Sequence, residues 1–412
     1  MGNGLDLLLI HPPSGKRVYQ SLATEYSARE PPYLSALTAQ FVRDRGFEVN
    51  ILDADAENLS ASEAAEIANG LNPGLIQIVV HGQQPSASTQ LMPAVGDLCK
   101  EIKSLNNNKI LLTGTHPLAL PERTIREEEI DFVGRGEGFF TVLGLLKGED
   151  LSEVPGLWYM EDGNVVRGAR DSVLSTEEMG AALKGAAWDL LPMDKYKAHG
   201  WHCYGDLGKR SPYASIYTSF GCGMGCEFCC IDAPFTDGGT RKSVIRFRGI
   251  ENIVDEIEML HEEYGISNLK IIDEMFVFNR EHYVGVAEEI IKRGLGGELN
   301  IWAYSRIDTV REGNLDLLKR AGFNALGLGI ESGSSLVRVG AEKPIREKKI
   351  LDVVETIKSF GIYPACNYIF GLEDDTMETM QQTLDLAIDL NGVMSNLYCA
   401  MAYPGSLLHL KA

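Results

Sequence analysis

No apolar run in this chain approaches the ~18 residues that cross a bilayer. The segment Met1–Ile10 has no basic stretch and carries Asp6 within its short apolar part, which argues against a leader peptide. Gly2 invites acylation, yet Asp6 stands where Ser or Thr is wanted, and the sequence reads as cytoplasmic. Basic residues are in deficit: 38 Lys+Arg face 58 Asp+Glu, a net charge of −20. Binding to nucleic acid or to an anionic membrane rests on Lys and Arg displacing counterions, so neither is expected as the chief partner. Cysteine is scarce too. Eight in 412 residues make no disulfide scaffold, and the first 200 residues hold only Cys99. Low-complexity segments and short repeats are absent. With 44% apolar and 23% charged residues the chain is globular, and at roughly 100–200 residues per domain it holds two or three.

In the first 150 residues, short apolar runs at 5–10, 47–52, 75–80, 109–113 and 131–133 read as strands, with helices at 32–45, 60–69, 86–104 and 121–129. Pro31-Pro32 pre-sets a first helical turn, and Gly46 suits a left-handed cap. Such alternation predicts an α/β domain with a doubly wound parallel sheet, Rossmann-like, whose ligands sit at the strands' carboxyl ends. Residues 156–160 and 164–167 flank an Asp162-Gly163 hairpin turn. The rest of 151–212 is irregular and reads as a connecting segment. Alternation restarts at 213, with strands at 214–219, 269–272, 300–304, 325–330, 365–370 and 395–401. Six strand–helix units with right-handed crossovers predict a partial (β/α)6 barrel of the TIM type over 213–412.

Cys222-Gly-Met-Gly-Cys226-Glu-Phe-Cys229 follows the first of these strands. Spacings of four and three residues on a glycine-rich loop let three thiolates face one site, and Gly221, Gly223 and Gly225 permit a close backbone wrap. Three thiolates can hold three irons of a four-iron cluster and leave the fourth open. Zinc with Cys230 as fourth ligand is the alternative, disfavoured because Cys229 and Cys230 are adjacent. His199, His202 and Cys203 fit no standard zinc spacing. Cys99, Cys366 and Cys399 read as packing residues.

This CxxxCxxC, with Phe228 before its last cysteine, resembles the hallmark of the radical S-adenosylmethionine (SAM) enzymes. The resemblance extends over 213–403. It implies a [4Fe–4S] cluster on Cys222, Cys226 and Cys229, and SAM contacts from Phe228, from Asp273 and Glu274 to the methionine amino group, and from Ser305 and Arg306 to the ribose and carboxylate. It further implies Glu331 at the ribose, and Tyr368 and Gly371 along adenine. The implied chemistry is one-electron cleavage of SAM to a 5′-deoxyadenosyl radical that abstracts hydrogen from substrate. The electron would come from an external donor such as flavodoxin or ferredoxin.

The first half has no G-x-G-x-x-G loop, which weakens a nicotinamide or flavin reading. Its strand-end loops carry His11-Pro12-Pro13-Ser14, His81-Gly82-Gln83, Thr113-Gly114-Thr115-His116 and Gly134-Arg-Gly136-Glu137-Gly138. In that order they resemble the cobalamin-binding domain of cobalamin-dependent radical SAM proteins, which implies corrin contacts from Pro12, Ser14, His81, Gly82, Gln83, Thr113, Gly114, Thr115, His116, Gly134, Gly136 and Glu137. The Asp-x-His-x-x-Gly string that places histidine on cobalt in other cobalamin enzymes is absent. His81 and His116 are the remaining strand-end histidines, for which hydrogen bonding is the preferred role.

The resemblance implies methylation of an unactivated carbon or phosphorus centre of a small-molecule substrate. Cyclisation or rearrangement with the same cofactors is the alternative. A methylthiotransferase is disfavoured because its N-terminal cysteines are missing, and a sensor because every part of SAM finds a suited residue. Relatives in this family continue beyond the sixth strand, so a truncated C-terminal part is expected after Ala412.

Overall fold

The computed structural model describes residues 4–19, 27–82, 87–170, 173–203, 207–231 and 244–412. The apolar runs of the first half form β1 (Leu7–His11), β2 (Val49–Asp53), β3 (Leu75–Val79), β4 (Ile110–Thr113) and β5 (Phe132–Gly134). They are parallel and ordered 2-1-3-4-5. Strand order reverses between β1 and β3, so the loops that leave their carboxyl ends diverge and open a crevice. Leu8, Ile10, Ile76, Ile78, Ile110 and Leu112 meet Leu91, Val95, Leu98, Cys99 and Ile102 of the helix Ala87–Leu105 in one buried core. Burial of this set is the main favourable term for the unit.

The expected hairpin, β6 (Leu157–Glu161) and β7 (Asn164–Arg167), has positive φ at Asp162 (49°) and Gly163 (79°), as a primed turn requires. It pairs antiparallel with β5, so the sheet has seven strands and runs into the segment expected to connect the halves. Among the described residues 1–196, four α-helices had no sequence expectation: Gly15–Tyr19, Thr115–Ala119, Phe139–Lys147 and Thr176–Ala182. Phe139–Lys147 is apolar nearly all round and so shows no period, and Thr115–Ala119 is a single short turn.

The chain divides into two compact units, Met1–Tyr196 with Cys230–Ser243 and Tyr403–Leu410, and Lys197–Cys229 with Val244–Ala402 and Lys411–Ala412. The second holds β8 (Tyr213–Ile216), β9 (Ser219–Phe220), β10 (Arg246–Phe247), β11 (Asn268–Ile271), β12 (Asn300–Arg306), β13 (Phe323–Glu331), β14 (Tyr363–Phe370) and β15 (Met394–Cys399). Six of these form one parallel sheet in sequential order, β8-β11-β12-β13-β14-β15, with helices between them. This is the expected six-strand half-barrel. One expected strand, 214–219, is interrupted after Ile216: the Thr218 amide donates to the Asp273 carboxylate, and Ser219–Phe220 pairs with β10 instead. Ile253, Val254, Ile257 and Leu260 of the helix Ile250–Tyr264 are buried as their spacing predicts. Glu256 breaks the polar face by pairing with Arg248 at 2.8 Å, both side chains almost fully buried.

Candidate active site

The cysteine loop starts from a left-handed Gly221 (φ 88°), turns again at Gly225 (φ 65°), and closes where the Cys229 amide donates to the Cys226 carbonyl at 3.0 Å. No cysteine of the chain is in a disulfide; Cys222, Cys226 and Cys229 are partly exposed, while Cys230 is buried. Among the described residues no three His, Cys, Asp or Glu side chains are gathered closely enough to clasp one metal ion. Phe228 packs against the buried cluster of Val337, Ala341 and Leu372, as do Ile369 and Ala400, which pins the loop beside the later strands.

Asp273 is fully buried, and its carboxylate accepts from the Thr218 amide and hydroxyl and from the Ser219 hydroxyl at 2.5–2.6 Å. It ties the end of β8 to the end of β11. His282 completes this cluster at 2.9 Å from the Thr218 hydroxyl, and burial lowers its imidazole to about 4, so it is neutral. Glu274 differs. Among the described residues its Oε2 is buried without a hydrogen-bond partner, and burial pushes its carboxyl up to about 8, with the neighbouring Asp273 charge adding to the rise. Backbone amides and the Arg246 charge only partly offset this burial.

At the end of β12 Ser305 is buried beside Thr309, and Arg306 grips Asp308 through two bonds at 2.9 and 3.1 Å. Its remaining Nη1 donates to the Cys226 sulfur at 3.5 Å. Burial alone would lower the guanidinium pKa, but Asp308 and the two cysteines outweigh it and raise it. Burial pushes the Cys226 thiol up, while Lys343 and Arg306 favour the thiolate.

Glu331 ends β13 with a left-handed φ of 69° and receives Lys343 Nζ at 2.6 Å, both side chains under a tenth exposed. Gly329 makes room for the pair: a Cβ there would stand 2.4 Å from the carboxylate and 2.5 Å from the ammonium. Tyr368 is fully buried in β14, so only its backbone borders the strand end, and Gly371 takes φ 83° with its amide on Asp375 at 2.7 Å. Sequence reasoning missed Lys343, Asp308 and Thr218. Only Asp308, two residues after Arg306, had a local signal.

In the first unit, Pro12 and Ser14 are buried after β1, and Gly15 donates to Asp55 at 2.5 Å. His81 and Gly82 follow β3 and are partly exposed, whereas Gln83 lies outside the described residues. Thr113 accepts from Gln77 at 2.9 Å. Gly114 has φ 116°, and a Cβ on it would lie 2.2 Å from the Val80 carbonyl, so only glycine lets β4 pass this close to β3. Thr115 is buried. His116 sits 3.0 Å from the Thr89 hydroxyl and is lowered by burial to about 4. Gly134 and Gly136 lead to Glu137, which accepts from the Leu174 amide at 3.1 Å. A residue not singled out is more constrained: His11 Nδ1 meets Asp53 at 2.9 Å, and Asp53 also accepts from the Tyr196 hydroxyl at 2.8 Å. His202 and Cys203, which fit no standard zinc spacing, contact the Asn300 carbonyl and the Lys209 carbonyl.

Known families match both units. The radical SAM superfamily model covers residues 216–387, and the B12 binding domain model covers 22–145. An uncharacterised methyltransferase of Pyrococcus horikoshii is 31% identical over 98% of this chain and 82% of its own length. The chain belongs to the radical SAM superfamily, in the branch that carries a B12-binding domain. Among other relatives of this radical SAM enzyme, an anaerobic magnesium-protoporphyrin IX monomethyl ester cyclase of Rubrivivax gelatinosus is 26% identical over 95% of this chain and 67% of its own. The radical SAM methyltransferase TsrM of Kitasatospora setae, solved with cobalamin and a [4Fe–4S] cluster, shares the fold with a TM-score of 0.78 at 17% identity, covering 99% of this chain and 74% of that one. No helix among the described residues is long and apolar enough to cross a membrane.

Proposed function

We propose that this radical SAM enzyme transfers a methyl group from cobalamin to an unactivated carbon or phosphorus centre of a small-molecule substrate. The carrying observation is Glu274, a buried acid with one oxygen unpartnered, beside a loop of three partly exposed cysteines. That pairing suits a ligand with an ammonium group next to a cluster. Cys222, Cys226 and Cys229 would hold a [4Fe–4S] cluster, which supplies the electron that cleaves SAM, and cobalamin supplies the methyl group.

The chain's own work is placement. Glu274 receives the methionine ammonium and ionises as it does so. Asp273 holds the cysteine loop through Thr218 and Ser219. Arg306, clamped by Asp308, keeps one guanidinium edge toward Cys226 and offers charge to a carboxylate. Glu331, held by Lys343, presents its second oxygen to ribose hydroxyls. In the first unit, Gly114, Gly134 and Gly136 keep the crevice floor free of side chains, and Pro12, Ser14, His81, Gly82, Thr113, Thr115, His116 and Glu137 form its edge. A flat corrin suits such small-residue loops. An external electron donor of the flavodoxin or ferredoxin kind completes the system.

Anaerobic reconstitution with iron, sulfide and cobalamin, then SAM carrying a deuterated methyl group and a metabolite extract, tests this reading. A product heavier by one labelled methyl is expected. Substrate consumed without that gain would favour the cyclase-type alternative suggested by the Rubrivivax relative. Zinc-containing, colourless anaerobic protein would overturn both.

A further inference from the structure

His11 is the last residue of β1 and Asp53 the last of β2, and the parallel register sets the two opposite one another. His11 Nδ1 lies 2.9 Å from one Asp53 oxygen, which also accepts from the Ala56 amide at 2.9 Å. The second Asp53 oxygen accepts from the Tyr196 hydroxyl at 2.8 Å. Asp53 and Tyr196 are buried, so the carboxylate is fixed by three donors and cannot turn away from the ring. The other edge of the imidazole is different. Among the described residues Nε2 makes no hydrogen bond and is not shut off from solvent, and the side chain is 13% exposed. A carboxylate on Nδ1–H leaves the ring's lone pair on Nε2, and metal-bound histidines are almost always held in this way. His116, at the end of β4, has the Thr89 hydroxyl on its Nδ1 instead.

We propose that His11 Nε2 is an axial ligand of the cobalt of cobalamin, with Asp53 and Tyr196 as its positioning residues. The inference rests on the cobalamin reading of the first unit. No Asp-x-His-x-x-Gly string encodes the pair. The carboxylate comes from 42 positions away, through the pairing of β1 with β2. His11 also stands at the carboxyl end of β1, beside the point where strand order reverses between β1 and β3. The step is a ligand exchange. Nε2 gives its lone pair to cobalt, the base or water that held that position leaves, and no electron moves. The Nδ1 proton stays with the ring, shared with Asp53, and an imidazolium first releases its Nε2 proton to solvent.

Electron paramagnetic resonance of the full chain, 15N-labelled and loaded anaerobically with unlabelled cob(II)alamin, tests this without any turnover. Cobalt lines split into doublets by a nitrogen of the protein are expected. Triplets would mean that the cofactor's own base is the ligand, and unsplit lines that no nitrogen is; either overturns the proposal. His11→Gln should abolish the doublets, and splitting that survives it would assign the ligand to another residue. Asp53→Asn should lower the nitrogen-ligated fraction about tenfold or more, and an unchanged fraction would remove Asp53 from its role. Wild type that keeps no cobalamin on desalting would end the cobalamin reading and this inference together, whereas cobalamin kept without doublets would end this inference alone.

Discussion

Lys343 donates to Glu331 across 2.6 Å, with side chains 5% and 8% exposed, although twelve positions separate them in the sequence. The pair lies where β13 ends in a left-handed residue. Removing one partner of a buried ion pair leaves the other charge uncompensated, at a cost of about 3–5 kcal/mol. Lys343→Met should therefore lower the unfolding free energy read from urea titration by that amount, shifting the midpoint down, and the double variant with Glu331→Gln should recover most of it. An unshifted midpoint in the single variant would mean that the pair does not form in solution.

Glu274 gives a pH signature. Burial raises its carboxyl from the ordinary 4.5 to about 8. A group raised in this way contributes stability that is complete below 4.5 and is lost as pH climbs through about 8. Stability of the cofactor-free protein should fall over that window relative to Glu274→Gln. If the acid receives the SAM ammonium, binding at pH 7 should also release a proton, seen as a buffer-dependent binding heat that Glu274→Gln abolishes.

Cys226 and Cys230 should separate cleanly. Cys226→Ala should lose the cluster absorbance after reconstitution and retain cobalamin, because the corrin residues lie in the other unit. Cys230→Ala should keep the cluster. Loss of both cofactors in Cys226→Ala would count against the division of labour.

Burial opposes ionisation of both His11 and Asp53, yet their mutual attraction outweighs it, raising the imidazole above 6.5 and lowering the carboxyl below 3.8. The histidine's share is complete below 6.5 and fades as pH rises through its raised value. The aspartate's share is complete above 3.8 and fades as pH falls through its lowered value. Wild type should thus exceed Asp53→Asn most between these two ordinary values, with the gap narrowing on either side. Urea midpoints measured from pH 3 to 9 check this, and a gap independent of pH would contradict it.

Gly114→Ala places a methyl 2.2 Å from the Val80 carbonyl at a φ of 116°. Backbone must move, so the loss should exceed the ~1–3 kcal/mol of a strained residue alone. Equilibrium dialysis should show cobalamin retention falling in parallel.

Much of this was legible because it is local. Period-two and helical patterns depend on neighbouring residues, and every parallel strand was found within a few positions of its expectation. Asp162-Gly163 turned as its chemistry demands. The interruption of β8 was not legible, since the Thr218 amide is captured by a carboxylate 55 residues away. The helix Phe139–Lys147 escaped because a helix apolar nearly all round has no polar face to mark its period.

Taken alone, the amino-acid order determined the two α/β halves, the cysteine loop and the set of residues at the strand ends, because periodicity, spacing and turn propensity act over a few residues. Tertiary structure alone decided that Lys343 meets Glu331, that Asp273 is spent on Thr218 and Ser219 while Glu274 keeps an oxygen unpartnered, and that Arg167 lies on Trp158. With 38 cations and 58 acids in the chain, no local rule selects the partners. Closure of the fold does, by bringing remote positions within a few ångströms and excluding the water that would screen them.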